Sequence, residues 1–179
     1  MRKSLWFLFF LPLLAFRTGT NPVHKAPLHV DVNKVFLLVD KSAYKLYVYE
    51  DVTLIRTYDV VFGSGDLSDK EMQGDKRTPI GTFHIIAKKY DNRWSRFLLL
   101  DYPNQESIEK FEERKSEGKI PHWAHIGDGI GIHGVWPKIE YYVFRYRMNW
   151  TDGCISLRNE DIDELYDLVK VGTPVIIRE

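Results

Sequence analysis

The alternation of apolar and polar residues sets in at residue 34 and predicts strands for most of the chain beyond it. Residues 34–39 are a compact apolar run, and residues 44–49 put Tyr44, Leu46 and Val48 on one face. Residues 40–43 read as a turn, Glu50 and Asp51 as a second, and residues 52–62 as a further strand, so the domain opens on a meander of two hairpins. Residues 63–76 are polar and contain glycine, which marks a loop. Pro79 and Gly81 punctuate the entry to a strand at 84–88, residues 97–100 are another, and residues 125–133 have strand character through Ile126, Ile130 and Ile132. Two segments change period. Residues 106–118 hold Ile108 and Phe111 among Glu and Lys and stop at Gly118, as a short solvated helix does. Ile162, Leu165, Leu168 and Val169 form the apolar stripe of a C-terminal helix, with Glu160, Asp161 and Asp163 where its dipole favours acid and Asn159 as the expected N-cap. A last strand occupies 174–177. The expected fold is mostly β, a sandwich-like mixed sheet with the C-terminal helix packed on it.

The residues before 34 have a different character. Arg2 and Lys3 precede an apolar run over residues 5–16, and a polar stretch follows at 17–21. That run is shorter than the roughly 20 residues of a membrane span and matches a secretory leader. Residues 1–20 are therefore expected to be a signal peptide, 21–33 a linker with Pro22 and Pro27, and the protein to be exported to the periplasm or cell envelope. A buried N-terminal helix is the plainer alternative. Equal numbers of basic and acidic residues, 25 of each, exclude the basic footprint of a nucleic-acid binder. The length suits one domain acting as a monomer.

Export makes the cysteine count informative. Cys154 is the only cysteine, so it forms no internal disulfide, and a lone thiol in an oxidising compartment is either buried or used. It sits in Trp150-Thr151-Asp152-Gly153-Cys154-Ile155-Ser156-Leu157. Gly153 allows close approach of a substrate, and the amides of Gly153 and Cys154 are candidates to face an oxyanion. The apolar residues beyond place the thiol at the lip of the core. A cysteine nucleophile needs a base, and of the six histidines His133, in Gly131-Ile132-His133-Gly134, is best placed by pattern; the plain alternative is a satisfied core histidine.

These residues resemble the L,D-transpeptidase catalytic domain, the YkuD-type family of bacterial cell-wall enzymes. The likeness rests on the His133-Gly134 element, on the Thr151-x-Gly153-Cys154 element 17 residues further on, and on Thr78-Pro79-x-Gly81-x-Phe83. The opening hairpins and the C-terminal helix with its Thr173-Pro174-Val175 strand extend it over residues 34–179. The resemblance implies Cys154 as acyl-accepting nucleophile, His133 as its base, and the main-chain carbonyl of Gly134 as third member. It implies peptidoglycan stem peptides as substrate, a second stem or an envelope protein as acceptor, and no metal or cofactor. The sequence departs from the family at Asp152, where His is commonest, and at Ser156, where Asn or Arg is frequent. Asp152 either opposes the thiolate or recruits an acceptor amine, and the second role is expected.

Other features weigh less. His122, His125 and His133 form a weak zinc pattern, with no Glu base between the first two. The aromatic stretch from Tyr141 to Trp150 is either packing or a cleft wall, with Arg145 and Arg147 meeting substrate carboxylates. Thr151, Ser156 and Trp150 complete the expected substrate contacts. Asn149-Trp150-Thr151 matches a glycosylation pattern by chance. Residues 93–125, with Trp94 and Trp123, are expected to be an insert acting as a flap. Water as acceptor would make the same site a carboxypeptidase or hydrolase, and a non-catalytic wall-binding module is the distant alternative.

Overall fold

Alternating burial follows the predicted strands closely. The computed structural model describes residues 29–179, so the expected leader and most of the linker lie outside the described residues. In β1 (Val35–Asp40) Leu37 and Val39 point into the core, and in β2 (Lys45–Glu50) Leu46 and Val48 do so. β3 (Thr53–Asp59) completes the antiparallel meander. β4 (Gly81–Asp91) buries Phe83 and Ile85, and β5 (Ser95–Leu100) buries Leu98 and Leu100. After α1 (Gln105–Ser116) come β6 (Gly131–His133), α2 (Glu140–Arg145), β7 (Ile155–Ser156), α3 (Asn159–Leu168) and β8 (Pro174–Arg178).

The strands form an eight-stranded sheet in the order β3-β2-β1-β8-β4-β5-β6-β7. Two neighbours are parallel, β1 with β8 and β6 with β7; the rest are antiparallel. Just past β3, Val61 exchanges hydrogen bonds with Ser156 at 3.0 and 2.9 Å. The chain beyond one end of the order thus pairs with the strand at the other end. The expected sandwich is a single mixed sheet curled until its ends meet.

α3 lies across this sheet, its Ile162 and Leu165 fully buried. Glu164 takes bonds from Arg56 and Tyr58 of β3, Lys88 of β4 donates to the carbonyls of Tyr166 and Val169, and Ser95 of β5 donates to Asp163. The helix ties strands that are far apart in the order. Among the described residues, no helix is long and apolar enough to cross a membrane.

Four expectations change. Residues 95–100 are an interior strand, β5, so an insert beginning at residue 93 is drawn too wide; only the excursion between β5 and β6 leaves the sheet. Its helix α1 is docked rather than free. Phe111 is buried with Ile120 and Ala124, and Arg114 bonds Asp69 at 2.6 Å and the Lys70 carbonyl at 2.8 Å. Of residues 125–133 only the last three are strand, because Gly127 and Gly129 adopt φ of 77° and 74° and turn the chain. The aromatic stretch forms the short helix α2, with Val143 buried against Val61 and Val135.

Candidate active site

His133 ends the short strand β6 and is 2% exposed. Its ring stacks on Trp94 at 4.6 Å and on Phe97 at 5.7 Å between centroids, and meets the edge of Trp150 at 5.6 Å. Contacts of this type contribute about 0.5–1.5 kcal/mol each beyond burial. Nδ1 lies 2.6 Å from the carbonyl oxygen of Gly134. A carbonyl only accepts, so Nδ1 carries the proton and Nε2 is left with its lone pair. Gly134 has no room for a side chain: a Cβ there would lie 2.2 Å from Asn159 Oδ1 and 2.4 Å from the Trp94 carbonyl oxygen.

Cys154 enters β7 from a loop held on both sides. Thr151 Oγ1 donates to the Cys154 carbonyl at 2.7 Å and accepts from the Gly153 amide at 3.2 Å. Thr78 Oγ1 donates to the Gly153 carbonyl at 2.9 Å. Gly153 adopts φ of 124°, and a Cβ would come within 2.7 Å of the Arg77 carbonyl oxygen, so the position requires glycine. Thr78 therefore underpins the Cys154 loop.

The parallel register of β6 and β7 pairs Ile132 with Ile155 and His133 with Ser156. Side chains alternate along each strand, so His133 and Cys154 share a face, one diagonal step apart. The thiol itself donates to the Gly129 carbonyl at 3.6 Å. Burial pushes the Cys154 thiol up to about 11; a backbone hydrogen bond from Gly131 opposes this, the Asp152 charge adds to it, and Lys70 opposes it. Burial also drives His133 down to about 4, against the bond to Gly134. At neutral pH the two groups are an uncharged thiol and an uncharged imidazole.

The family profile of the L,D-transpeptidase catalytic domain (YkuD) matches residues 34–177. The chain belongs to this family. It is 25% identical over 172 residues to YafK of Escherichia coli (strain K12), whose name marks it as a candidate L,D-transpeptidase; the match covers 89% of this chain and 57% of that protein. In fold it is similar to the helical cell shape determining protein Pgp2 of Campylobacter jejuni, with a TM-score of 0.58 at 23% identity over 81% of this chain and 47% of that one. It is also similar to Bd1075 of Bdellovibrio bacteriovorus, with a TM-score of 0.56 at 22% identity over 81% of this chain and 48% of that one. The chain thus spans about half the length of these relatives. A curled, mostly β sheet is the fold of this family's catalytic domain, and the chain shares it.

Within that family frame, several expected substrate contacts turn inward. Thr151 is buried and shapes the loop, and the Gly153 amide expected at an oxyanion is engaged by it. Of the two amides flanking the loop's end, that of Cys154 has no internal acceptor among the described contacts. Ser156 is fully buried and donates to the Gly134 carbonyl at 3.2 Å. Arg145 lies over the ring of Tyr146 and Arg147 over that of Tyr44, rather than beside the thiol. Trp150 is half-buried between His133 and Trp136, and its Nε1 has no hydrogen-bond partner among the described residues. Asn149, in the chance glycosylation pattern, has its side chain bonded to Phe62, Tyr44 and Ser64.

Of the expected contacts, Asp152 is the one that lines a cleft of about 330 Å³ with Lys70, Gln73, Gly74, Gly127, Asp128 and Ile130, and it is exposed. Lys70 is itself buried, paired with Asp75 at 2.6 Å. His122 and His125 are exposed, and among the described residues no three His, Cys, Asp or Glu side chains converge on a metal position. Trp94 and Asn159 were missed or misplaced by sequence reasoning. Trp94, expected on a flap, belongs to the β4–β5 turn, and nothing local in sequence marks a ring that stacks on a histidine 39 positions later.

Proposed function

We propose that this domain is a cysteine-dependent L,D-transpeptidase that acts on peptidoglycan stem peptides through a thioester. The supporting observation is the His133 imidazole, whose Nδ1 is committed to Gly134 and whose Nε2 is a free base on the face that carries Cys154. Because both groups are neutral, proton transfer accompanies attack rather than preceding it. On substrate binding the thiol leaves the Gly129 carbonyl and turns toward Nε2. Its sulfur attacks the diaminopimelate carbonyl carbon, in the bond that follows that residue, while Nε2 takes its proton. The Cys154 amide meets the developing oxyanion. The C–N bond breaks, the departing amine takes the proton from Nε2, and a thioester remains. An incoming amine then loses a proton to Nε2, attacks the thioester, and expels the Cys154 thiol, which regains its proton.

Asp152 and Asp128 in the cleft favour an acceptor that arrives as an ammonium and gives up its extra proton to solvent before it attacks, as in cross-linking or attachment of an envelope protein. Water in its place gives a carboxypeptidase or hydrolase. The site of action is the periplasm or cell envelope, reached through the leader. Purified protein with disaccharide-tetrapeptides and an amine acceptor, read by mass spectrometry, tests the reading. Cross-linked or amine-exchanged product supports transpeptidation, trimmed stems support hydrolysis, and unchanged muropeptides with no acyl adduct on Cys154 refute both.

A further inference from the structure

Asn159 is the first residue of α3 and by sequence its expected cap. The structure uses it otherwise: the residue before α3 is Arg158, whose side chain makes no capping bond, and the Asn159 side chain does not cap the helix either. The Asn159 amide turns to Val135, accepting from its N–H at 3.0 Å and donating to its carbonyl at 2.9 Å. Flipping the amide would set like against like at both contacts, so one orientation is allowed. Glu140 of α2 stands behind, accepting from the Asn159 backbone N–H at 2.7 Å, with its other oxygen 3.5 Å from Nδ2.

The Val135 N–H and the Gly134 C=O belong to one planar peptide unit and point in opposite directions. Whatever fixes the first aims the second. The aimed oxygen is the one 2.6 Å from His133 Nδ1. The fit is close enough that a Cβ on Gly134 would lie 2.2 Å from Asn159 Oδ1. Ser156 Oγ also reaches the Gly134 oxygen, at 3.2 Å, but a hydroxyl rotor constrains no plane.

We infer that Asn159 is a positioning residue of the catalytic site, holding the 134–135 peptide so that its carbonyl keeps the proton of His133 on Nδ1 and leaves Nε2 as the base. Its kinetic consequence rests on the proposed function; its effect on the imidazole does not. Without the bracket the peptide can rotate, the Nδ1 acceptor moves, and the tautomer with Nε2 protonated becomes populated. That tautomer cannot accept the thiol proton.

The test is nitrogen-15 NMR of His133 in the full domain, paired with stem-peptide kinetics. Wild type is expected to show one tautomer, protonated at Nδ1. Asn159→Ala is expected to show a mixture, with kcat lower by roughly 10–100-fold, the scale of small misplacements in a catalytic site, and KM within about twofold. Asn159→Asp keeps the acceptor for the Val135 N–H and should recover part of kcat. Where Asn159→Ala does not fold, Asn159→Gln replaces it, having the same groups displaced by a methylene. A folded Ala or Gln variant with the wild-type tautomer and kcat overturns the inference. A wild type inert to stem peptides but with tautomers responding as stated would refute the proposed substrate and leave the positioning role standing.

Discussion

The two sides of Cys154 are built on opposite principles. On one side lies His133, dry and held from every direction: two aromatic faces, a third ring edge-on, a carbonyl on Nδ1, and an asparagine behind that carbonyl. On the other lies the cleft of Lys70, Gln73, Gly127, Asp128 and Asp152, made from loops, with exposed carboxylates. Asp152, two residues before the nucleophile, has no ion-pair partner among the described residues. A base must keep one orientation and one tautomer, so its surroundings are overdetermined. A surface that receives a substrate must let it enter and leave, and in this cleft the carboxylates of Asp128 and Asp152 are exposed, while Lys70 beside them is buried and paired with Asp75.

The contrast breaks most completely at Cys154, the proposed nucleophile. Cys154→Ala should abolish turnover while leaving the fold intact. A carbapenem, which the family resemblance implies as an acylating agent, should add its mass to wild type and not to the variant. Retained muropeptide turnover in Cys154→Ala would refute the thiol mechanism.

On the dry side, His133→Ala should lower the acylation rate by at least about two orders of magnitude, the usual loss of a general base. Gly134→Ala should match it by another route. Its Cβ would meet Asn159 and the backbone at Trp94, so a lowered melting temperature should accompany the lost activity. Full activity in a folded Gly134→Ala protein would show that the close packing there is dispensable.

The same dryness predicts a pH signature of stability. His133 titrates near 6.5 when unfolded and near 4 when folded. Between those values the unfolded chain binds more protons, so stability is fully present above about 6.5 and falls as pH drops toward 4. The limit is about 3 kcal/mol for a shift of this size. Cys154 acts in the opposite sense: its thiol is raised from 9.0 to about 11, so its share of stability is lost as pH rises through that interval. Urea midpoints at pH 7.5 and 4.5 should therefore differ more for wild type than for His133→Gln. Equal differences would mean that the imidazole is not desolvated.

The smallest effect is expected on the wet side. In Asp152→Asn, thiol labelling by iodoacetamide should quicken only slightly, because burial, not this charge, is the main cause of the raised thiol pKa. Transfer to an amine should fall relative to hydrolysis. Markedly faster labelling with an unchanged ratio of transfer to hydrolysis would assign Asp152 to the thiol rather than to the acceptor.

Legibility in the sequence tracks how local each interaction is. The apolar run of β1, the one-face alternation in β2 and the stripe in α3 are local patterns, and each became the element it predicted. The thiol and histidine could be picked out because glycines flank them, a feature carried in the residue type itself; that Gly153 and Gly134 leave no room for a side chain is seen only in the structure. The short helix α2 was missed because six residues are too few to display a period. The roles of Thr151, Ser156 and Asn159 were misread for another reason. Each is a short polar side chain equally fit for solvent, a cap or a buried carbonyl, and only the partner distinguishes these uses. Thr151 finds its partners two and three residues away, whereas Ser156 and Asn159 meet Gly134 and Val135, and Trp94 meets His133, only through the pairing of β5, β6 and β7 and the placement of α3. Residue order alone suffices for most of the strands, for the helix stripe and for singling out the thiol and histidine proposed to react. Which polar groups hold that pair, and which await a substrate, is settled by tertiary contact, because a hydrogen bond between residues distant in the chain leaves no periodic trace in either segment.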